Sequence, residues 1–124
     1  MDGTNDFYAL GIYTDGQGTS GTPKAISTAI TTGANGVGLF AENSSHIKYT
    51  GTMNIGDNTT AGTGIYVGNG GVGATQPSKV EIGDGTTTGA AKINLNGANG
   101  VGAIVTTNAD VIFNKYSTIT FAGD

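Results

Sequence analysis

The sequence predicts an all-β protein, a parallel β-solenoid of about four turns with three short strands in each turn. Three observations support this prediction. Apolar and polar residues alternate with period two in short segments that end at Gly, Asn or Asp, which is typical of strands and turns. A sequence unit recurs at intervals of roughly 26 residues. In successive units, similar side chains occupy equivalent positions.

The recurring unit is clearest in an element that opens with glycine. Its four copies are GIYTDG from Gly11, GLFAEN from Gly38, GIYVGN from Gly64 and GAIVTTN from Gly102. The last interval is the longest, which predicts inserted residues in the polar segments 68–78 or 84–90. We expect a single solenoid segment over residues 1–124, with an inserted loop at 68–78 and a cap or a disordered start at 1–10.

The alternation has the same phase in each unit, so one side of every strand is predicted to face a core and the other side the solvent. The predicted core columns are Ile12, Leu39, Ile65 and Ala103; Thr14, Ala41, Val67 and Val105; Ile47, Val80 and Val111; Tyr49, Ile82 and Phe113; Ile30, Met53, Ile93 and Ile119; and Thr32, Ile55, Leu95 and Phe121. The first unit fits least well, because TSGTPKAIS contains no clean second strand and Ile26 is expected inside without a strict ladder. An antiparallel sandwich is the rival fold, but it does not require similar residues to recur at a fixed interval.

Composition argues against several classes of function. The 124 residues include 23 glycines, only 11% charged residues and no cysteine, and the formal net charge is −4. All five basic residues are lysines, which cannot supply the clustered positive charge that nucleic-acid binding requires. We therefore expect no nucleic-acid partner. Without cysteine, the chain has no disulfide, zinc–thiolate site or thiol nucleophile.

The stretch GIYVGNGGVG matches the spacing G-x-G-x-x-G at Gly68, Gly70 and Gly73. In a dinucleotide-binding site a helix must follow directly, because the phosphate binds at the amino end of that helix. Here Pro77 and another predicted strand follow instead. We interpret the stretch as a corner of the solenoid with an inserted loop.

Few residues are candidates for chemistry. Asp57 and Asp84 each stand alone in a predicted turn, whereas calcium takes about six to eight oxygen ligands. His46 is the only histidine, and its position in the strand points it outward, level with Lys79 and Asp110, as a solvated surface residue. The chain has no arginine and no adjacent pair of carboxylates of the kind that polysaccharide lyases or hydrolases use. We predict no catalytic residue, no metal site and no cofactor.

The candidate binding residues are Tyr13, Phe40 and Tyr66. With Ile104 they occupy the outward side of the first strand of each unit, so they should form an exposed apolar column along the stack. Exposed apolar patches often mark contact surfaces. The same column has a purely structural interpretation, because aromatic pairs on neighbouring strands stabilise a sheet by about 0.2–1 kcal/mol each.

The segments GANGVGLFAENSS (33–45), IGDNTTAGTGIYVGN (55–69) and KVEIGDGTTTGAAKINLNG (79–97) resemble passenger segments of large bacterial type V autotransporters, particularly the fusobacterial-type surface adhesins. The resemblance covers most of the chain from about residue 10 onward. It implies a right-handed parallel β-helix, display at the outer membrane, and adhesion to host cells or to other bacteria. The chain shows neither the carboxy-terminal membrane barrel nor the amino-terminal export signal of that class. We therefore expect a fragment of a longer extracellular passenger.

Together these points predict a non-enzymatic structural or adhesive segment, whose partner is a protein or glycan receptor. A polysaccharide-acting β-helix enzyme is the alternative. An ice-binding solenoid is a third hypothesis, although only Thr50-Gly51-Thr52 and Thr118-Ile119-Thr120 approach the regular Thr-x-Thr array that it needs. The last segment, STITFAGD, is a predicted strand with no following turn. Because unpaired strand edges bind other chains, we also expect end-to-end self-association.

Overall fold

The computed structural model describes residues 9–19, 21–68 and 76–123. The regular secondary structure in these ranges consists entirely of β-strands. The strands are β1 (Leu10–Asp15), β2 (Lys24–Ile26), β3 (Ile30–Thr32), β4 (Val37–Glu42), β5 (His46–Tyr49), β6 (Thr52–Ile55), β7 (Thr63–Val67), β8 (Ser78–Ile82), β9 (Lys92–Leu95), β10 (Val101–Val105), β11 (Ala109–Phe113) and β12 (Thr118–Phe121). Period-two alternation fits a pleated strand, and frequent glycine disfavours a helix. Both features therefore favour this outcome.

The strands form three parallel four-stranded sheets, and each sheet takes one strand from every turn. The first sheet has the order β1-β4-β7-β10, the second β2-β5-β8-β11 and the third β3-β6-β9-β12. Neighbouring strands in each sheet come from successive turns and run parallel. The chain is thus a parallel β-helix of about four turns with three strands per turn. The predicted fold class is confirmed, and the antiparallel sandwich is excluded.

The strand register confirms the alignment of the predicted core columns. The prediction of burial is wrong for Val105, Phe113 and Phe121, which are exposed because no described strand lies beyond β10, β11 and β12. Leu39, for example, lies between Ile12 and Ile65. The inward side chains of the second and third turns are completely buried, and they are Leu39, Ala41, Ile47, Tyr49, Met53, Ile55, Ile65, Val67, Val80, Ile82, Ile93 and Leu95. Full burial of one Ile, Leu or Val contributes about 1.5–3 kcal/mol before the entropy of ordering is subtracted. The two central turns therefore hold the stack together without disulfides.

The first turn is more regular than the sequence suggested. Lys24–Ile26 form strand β2, and Ile26 lies directly beside Tyr49 of β5. The expectation that TSGTPKAIS has no clean second strand, with Ile26 outside a strict ladder, is therefore wrong. The strand was hard to recognise because it has three residues and follows Pro23, so it shows no full cycle of alternation. Its pairing with β5 supplies the order that its own sequence does not.

The corners between strands use residues that tolerate a left-handed backbone. The asparagines with positive φ are Asn35, Asn43, Asn58, Asn99 and Asn108, with φ angles from 56° to 72°. Asparagine adopts this region more readily than most residues do. Two of these asparagines, Asn43 and Asn108, close copies of the recurring element and set the direction of the chain at those corners.

Two aspartates stabilise further corners. Asp57 accepts hydrogen bonds from the backbone N–H groups of Thr60 and Thr59 at 2.8 and 2.9 Å, and these bonds lower the pKa of Asp57. The Thr86 hydroxyl and N–H bind Asp84 at 2.7 and 2.9 Å and lower the pKa of that carboxyl in the same way. Both carboxylates therefore accept hydrogen bonds from the turns in which they lie.

The third turn has longer connections than the second. The connection 68–77 joins β7 to β8, whereas only 43–45 join β4 to β5. Residues 69–75 lie outside the described residues, so the inserted loop at 68–78 stays a prediction. Residues 1–8 also lie outside them, and the predicted cap or disordered start at 1–10 is not settled. The next element in the described residues after GIYVGNGGVG is the strand β8, which does not supply the helix that a phosphate site needs.

Candidate functional site: the outer face of the first sheet

The three sheets carry different side chains on their outer faces. The first sheet carries the aromatic residues Tyr13, Phe40 and Tyr66. The second sheet carries the charged or titratable residues His46, Lys48, Lys79, Glu81 and Asp110. The third sheet carries a column of polar residues, Thr31, Asn54, Asn94 and Thr120. Among the described residues, an outward aromatic column is found on the first sheet alone.

Tyr13, Phe40 and Tyr66 form an aromatic ladder that continues to Ile104, in the predicted register. The Phe40 and Tyr66 rings are stacked, with centroids 4.6 Å apart and an interplanar angle of 10°. The Tyr13 and Phe40 centroids are 5.6 Å apart, and those rings are tilted by 31°. Tyr13 is exposed, whereas Phe40 and Tyr66 are half-buried. Because neighbouring rings cover each other, the ladder exposes ring edges more than ring faces.

Tyr13, the first residue of the aromatic ladder, is hydrogen-bonded to the acidic residue Glu42. The Tyr13 hydroxyl donates a hydrogen bond to Glu42 Oε1, and this bond is the main reason that the pKa of Tyr13 rises to about 12. Asp15 lies in register with Glu42 and accepts a hydrogen bond from Asn43 Nδ2 at 2.7 Å. The sequence has no adjacent pair of carboxylates, but the strand register brings Asp15 and Glu42 to neighbouring positions. The pair escaped detection because its members come from successive turns and are distant in sequence.

A groove of about 400 Å³ runs beside the aromatic ladder. Its lining comprises Phe40, Tyr66 and Ile104 with Asn35, Val37, Gly62, Thr63 and Asn99. Apolar residues therefore share the lining of the groove with two asparagines and a threonine. This mixture of apolar lining and a few polar groups is typical of binding sites.

The groove has a clear origin in the repeat. Val37, Thr63 and Val101 are in register, and the residues two positions before them are Asn35, Ala61 and Asn99. Both asparagines belong to copies of GANGVG, at 33–38 and 97–102, but the intervening turn has the buried Ala61 followed by Gly62. Two exposed asparagines thus flank a turn with small residues. The two copies of the motif, and its absence from the third turn, are visible in the sequence. Only the strand register shows that these positions lie side by side in successive turns and line one groove.

His46 lies on the outward side of β5, in register with Lys79 as expected. It is only 6% exposed, however, because the segment 16–19 after β1 lies over it. The His46 backbone N–H donates to Gln17 O at 2.6 Å. The prediction of a solvated surface histidine is therefore wrong, since the connection after β1 folds back over the second sheet.

The His46 ring joins two parts of the fold. Its Nδ1 lies 2.5 Å from Thr19 O, and its Nε2 lies 2.9 Å from Glu81 Oε2. A carbonyl oxygen and a carboxylate oxygen both accept hydrogen bonds, so a protonated ring satisfies both contacts and a neutral ring only one of them. Lys79 and Asp110 line a cavity of about 340 Å³ beside this ring. His46 thus fastens segment 16–19 to Glu81 on the neighbouring strand.

Replacing His46 with alanine should release segment 16–19 from the second sheet. We expect faster amide hydrogen exchange across 16–19 and a loss of about 1–3 kcal/mol in the free energy of unfolding, because Glu81 loses its partner. The matched control is Lys48→Ala, at the next outward position of β5. Its effect should stay within about 0.5 kcal/mol. Unchanged exchange across 16–19 in His46→Ala would show that the ring does not hold this segment.

The other outer faces offer less to a ligand. On the third sheet, Asn94 Nδ2 donates to Asn54 Oδ1 at 3.0 Å, so these amides bind each other. Lys92 lies between Thr52 and Thr118 and interrupts the threonine column that an ice-binding array requires. Within 9–19, 21–68 and 76–123, no group of three or more His, Cys, Asp or Glu side chains is arranged to hold a metal ion.

Searches for a membrane-spanning helix among the described residues and for similar proteins both gave negative results. The part of the chain that the structure describes contains no helix able to cross a membrane. Comparisons of the chain with protein-family models, with curated proteins and with solved structures find no match.

Proposed function

We propose that this chain is a non-enzymatic β-solenoid segment that presents the outer face of its first sheet to a macromolecular partner. The observation that carries the proposal is the groove beside the aromatic ladder. Cross-strand stacking alone accounts for Tyr13, Phe40 and Tyr66, but it requires no neighbouring groove. Together, ladder and groove offer apolar area and polar groups on one face of the molecule.

The geometry of the ladder favours a protein partner over a glycan. Sugar rings pack against the free flat face of an aromatic ring, but Phe40 lies between Tyr13 and Tyr66. Ring edges carry partial positive charge and suit carbonyl and carboxylate oxygens. The asparagine amides in the groove can donate to the same acceptors. A protein surface supplies such oxygens and also apolar side chains that fit the groove.

In this proposal the segment acts at a bacterial cell surface, as part of a longer autotransporter passenger that contacts host cells or other bacteria. The resemblance of 33–45, 55–69 and 79–97 to such passengers supports this setting. A stack of similar turns also suits the role mechanically, because it holds its outer faces at fixed spacing along one axis. The charge-poor composition and the absence of cysteine are compatible with it.

The proposal is tested by measuring adhesion of the purified chain to epithelial cells, bacterial cells and a glycan array. The test variant carries Tyr13→Ser, Phe40→Ser and Tyr66→Ser. Buried aromatic anchors often contribute about 2 kcal/mol or more to an interface, so we expect at least a tenfold loss of cell binding. The matched control, Asn54→Ser with Asn94→Ser, removes a side-chain pair from the third sheet and should bind like the parent chain.

Circular dichroism and thermal unfolding of each variant establish that the fold is retained before binding is compared. Equal binding by the ladder variant and the parent chain would contradict the assignment of this face. Failure of the parent chain to bind any cell type would contradict the adhesive function. Binding confined to the glycan array would contradict the preference for a protein partner.

A polysaccharide-acting enzyme is the second candidate, because the register places Asp15 beside Glu42. Hydrolases of this kind use two carboxyl groups on either side of the bond that breaks. Both residues already have hydrogen-bond partners, in Asn43 and Tyr13. Activity on a panel of polysaccharides that disappears in both Asp15→Asn and Glu42→Gln would favour the enzyme over the adhesive segment.

A further inference from the structure

In the four strands of the first sheet, the only charged residues are two carboxylates. Asp15 ends β1 and Glu42 ends β4, and the strand register places them side by side. β7 and β10 contain no charged residue. Glu42 follows Phe40 by two positions and therefore lies on the same outward side of β4. The two carboxylates thus border the aromatic ladder where the strands end.

No lysine in the described part of the chain neutralises these carboxylates. The five lysines lie elsewhere: Lys24, Lys48 and Lys79 in the second sheet, Lys92 in the third and Lys115 between β11 and β12. Among the described residues, neither Asp15 nor Glu42 forms a salt bridge. Each accepts a hydrogen bond from a neutral group, the Asn43 amide or the Tyr13 hydroxyl, and a carboxylate has acceptor sites for more. The negative charge of this face is therefore available to a partner.

The groove lies on the other side of the aromatic ladder, where the strands begin. Val37 lines the groove at the start of β4, and Glu42 ends the same strand. Because a strand rises about 3.3 Å per residue, the groove and the carboxylates are roughly 16 Å apart. Asn35 and Asn99 also line the groove, both are exposed, and an asparagine amide can both donate and accept hydrogen bonds. One face thus carries, in order, an apolar groove with polar margins, stacked rings and an uncompensated negative charge.

We propose that this face binds an extended segment of a partner protein, with an apolar side chain in the groove and a lysine or arginine against Asp15 and Glu42. The inference rests on the proposed function and specifies the chemistry of its partner. An extended segment covers roughly 16 Å with about five residues, so the two side chains lie about four to six positions apart. Its backbone N–H and C=O groups have no partners within the segment, and Asn35 and Asn99 can bind them. The carboxylates then form charge-assisted hydrogen bonds, which are stronger than neutral ones.

A displayed library of random linear peptides, selected on the purified full chain, defines the preferred segment. We expect the enriched peptides to contain an apolar residue and a lysine or arginine about four to six positions apart. The affinity of a synthetic copy of the most enriched peptide should fall with added salt, which screens exposed charges. Replacing its basic residue with glutamine, or its apolar residue with serine, should each weaken binding about tenfold.

Variants of the chain then locate the contact. Glu42→Gln keeps an oxygen for the Tyr13 hydroxyl but removes the charge, so it should bind the basic peptide about tenfold more weakly than the parent chain does. The glutamine-substituted peptide should bind parent and variant alike, because the coupling between the two charges is already lost. The matched control is Asp110→Asn, at an exposed aspartate on the outer face of the second sheet, which should leave the affinity unchanged.

Enriched peptides without a basic residue would overturn the inference, as would a selection that enriches no peptide or a Glu42→Gln variant that binds the basic peptide like the parent. The adhesion assay separates this inference from the proposed function. A chain that adheres to cells through its aromatic ladder but selects no basic peptide would retain the proposed function and lose this inference. A chain that selects basic peptides but adheres to no cell would lose the adhesive function, and the charge preference of the face would stand.

Discussion

Tyr49→Ala should lower the free energy of unfolding by about 3–5 kcal/mol, the range observed when large aromatic side chains are removed from cores. Tyr49 is completely buried in β5, between Ile26 and Ile82 of the adjacent turns. Its ring therefore contacts two layers of the stack at once, and its loss leaves a cavity that a regular ladder cannot close by local movement. Equilibrium unfolding in urea measures the effect.

Tyr49→Phe separates the contribution of the ring from that of the hydroxyl. The hydroxyl donates a hydrogen bond to Thr28 O at 2.8 Å, and burial raises the pKa of this phenol to about 12. Losing the hydroxyl alone should lower stability by about 0.5–1.5 kcal/mol, the usual net contribution of one hydrogen bond. If Tyr49→Ala and Tyr49→Phe were equally destabilising, the packing role assigned to the ring would be wrong.

Gly64→Ala should destabilise the protein by about 1–3 kcal/mol, and Gly64→Val by more, because both add atoms to a packed site. A Cβ at Gly64 would lie 2.7 Å from Gly102 O and 2.8 Å from Ile93 Cγ2. The same clash recurs one turn earlier, where a Cβ at Gly38 would lie 2.6 Å from Gly64 O. In the first three repeats, the opening glycine is therefore required by the close approach of the next turn.

Gly21→Ala is the matched control for this prediction. A Cβ at Gly21 would meet no atom within 4 Å, so the substitution should be neutral or should stabilise the fold by up to about 1 kcal/mol through the unfolded chain. Thermal and urea unfolding of Gly21→Ala, Gly64→Ala and Gly64→Val give the comparison. A Gly64→Ala protein as stable as the Gly21→Ala protein would show that the turns can separate to admit a methyl group.

Much of the fold could be predicted from the sequence because every turn of a solenoid buries similar side chains at equivalent positions. The column Ile12, Leu39, Ile65 and Ala103 is visible as a periodic pattern in the amino-acid sequence alone, and stacking requires that pattern. The aromatic ladder follows from the same register, shifted by one residue. Alternation with period two then decides which side of each strand is buried.

The features that escaped prediction depend on departures from the repeat or on contacts between turns. His46 is buried by segment 16–19. No repeated pattern in the sequence predicts that this segment lies over the second sheet. The pair of Asp15 and Glu42 and the groove beside the ladder each combine residues from successive turns. β2 is recognisable only through its pairing with β5. Local sequence patterns do not predict these contacts, because each contact joins residues from successive turns that are far apart in the sequence.

The direction of the hydrogen bonds between turns has a mechanical consequence. In all three sheets these bonds run along the axis of the stack. A pull along that axis loads the bonds of the outermost turn first, as in opening a zipper, and spares the turns behind it. Each turn that peels away frees about 26 residues, or roughly 90 Å of extended chain. Under tension the molecule would therefore lengthen in steps and relax the force on whatever it holds.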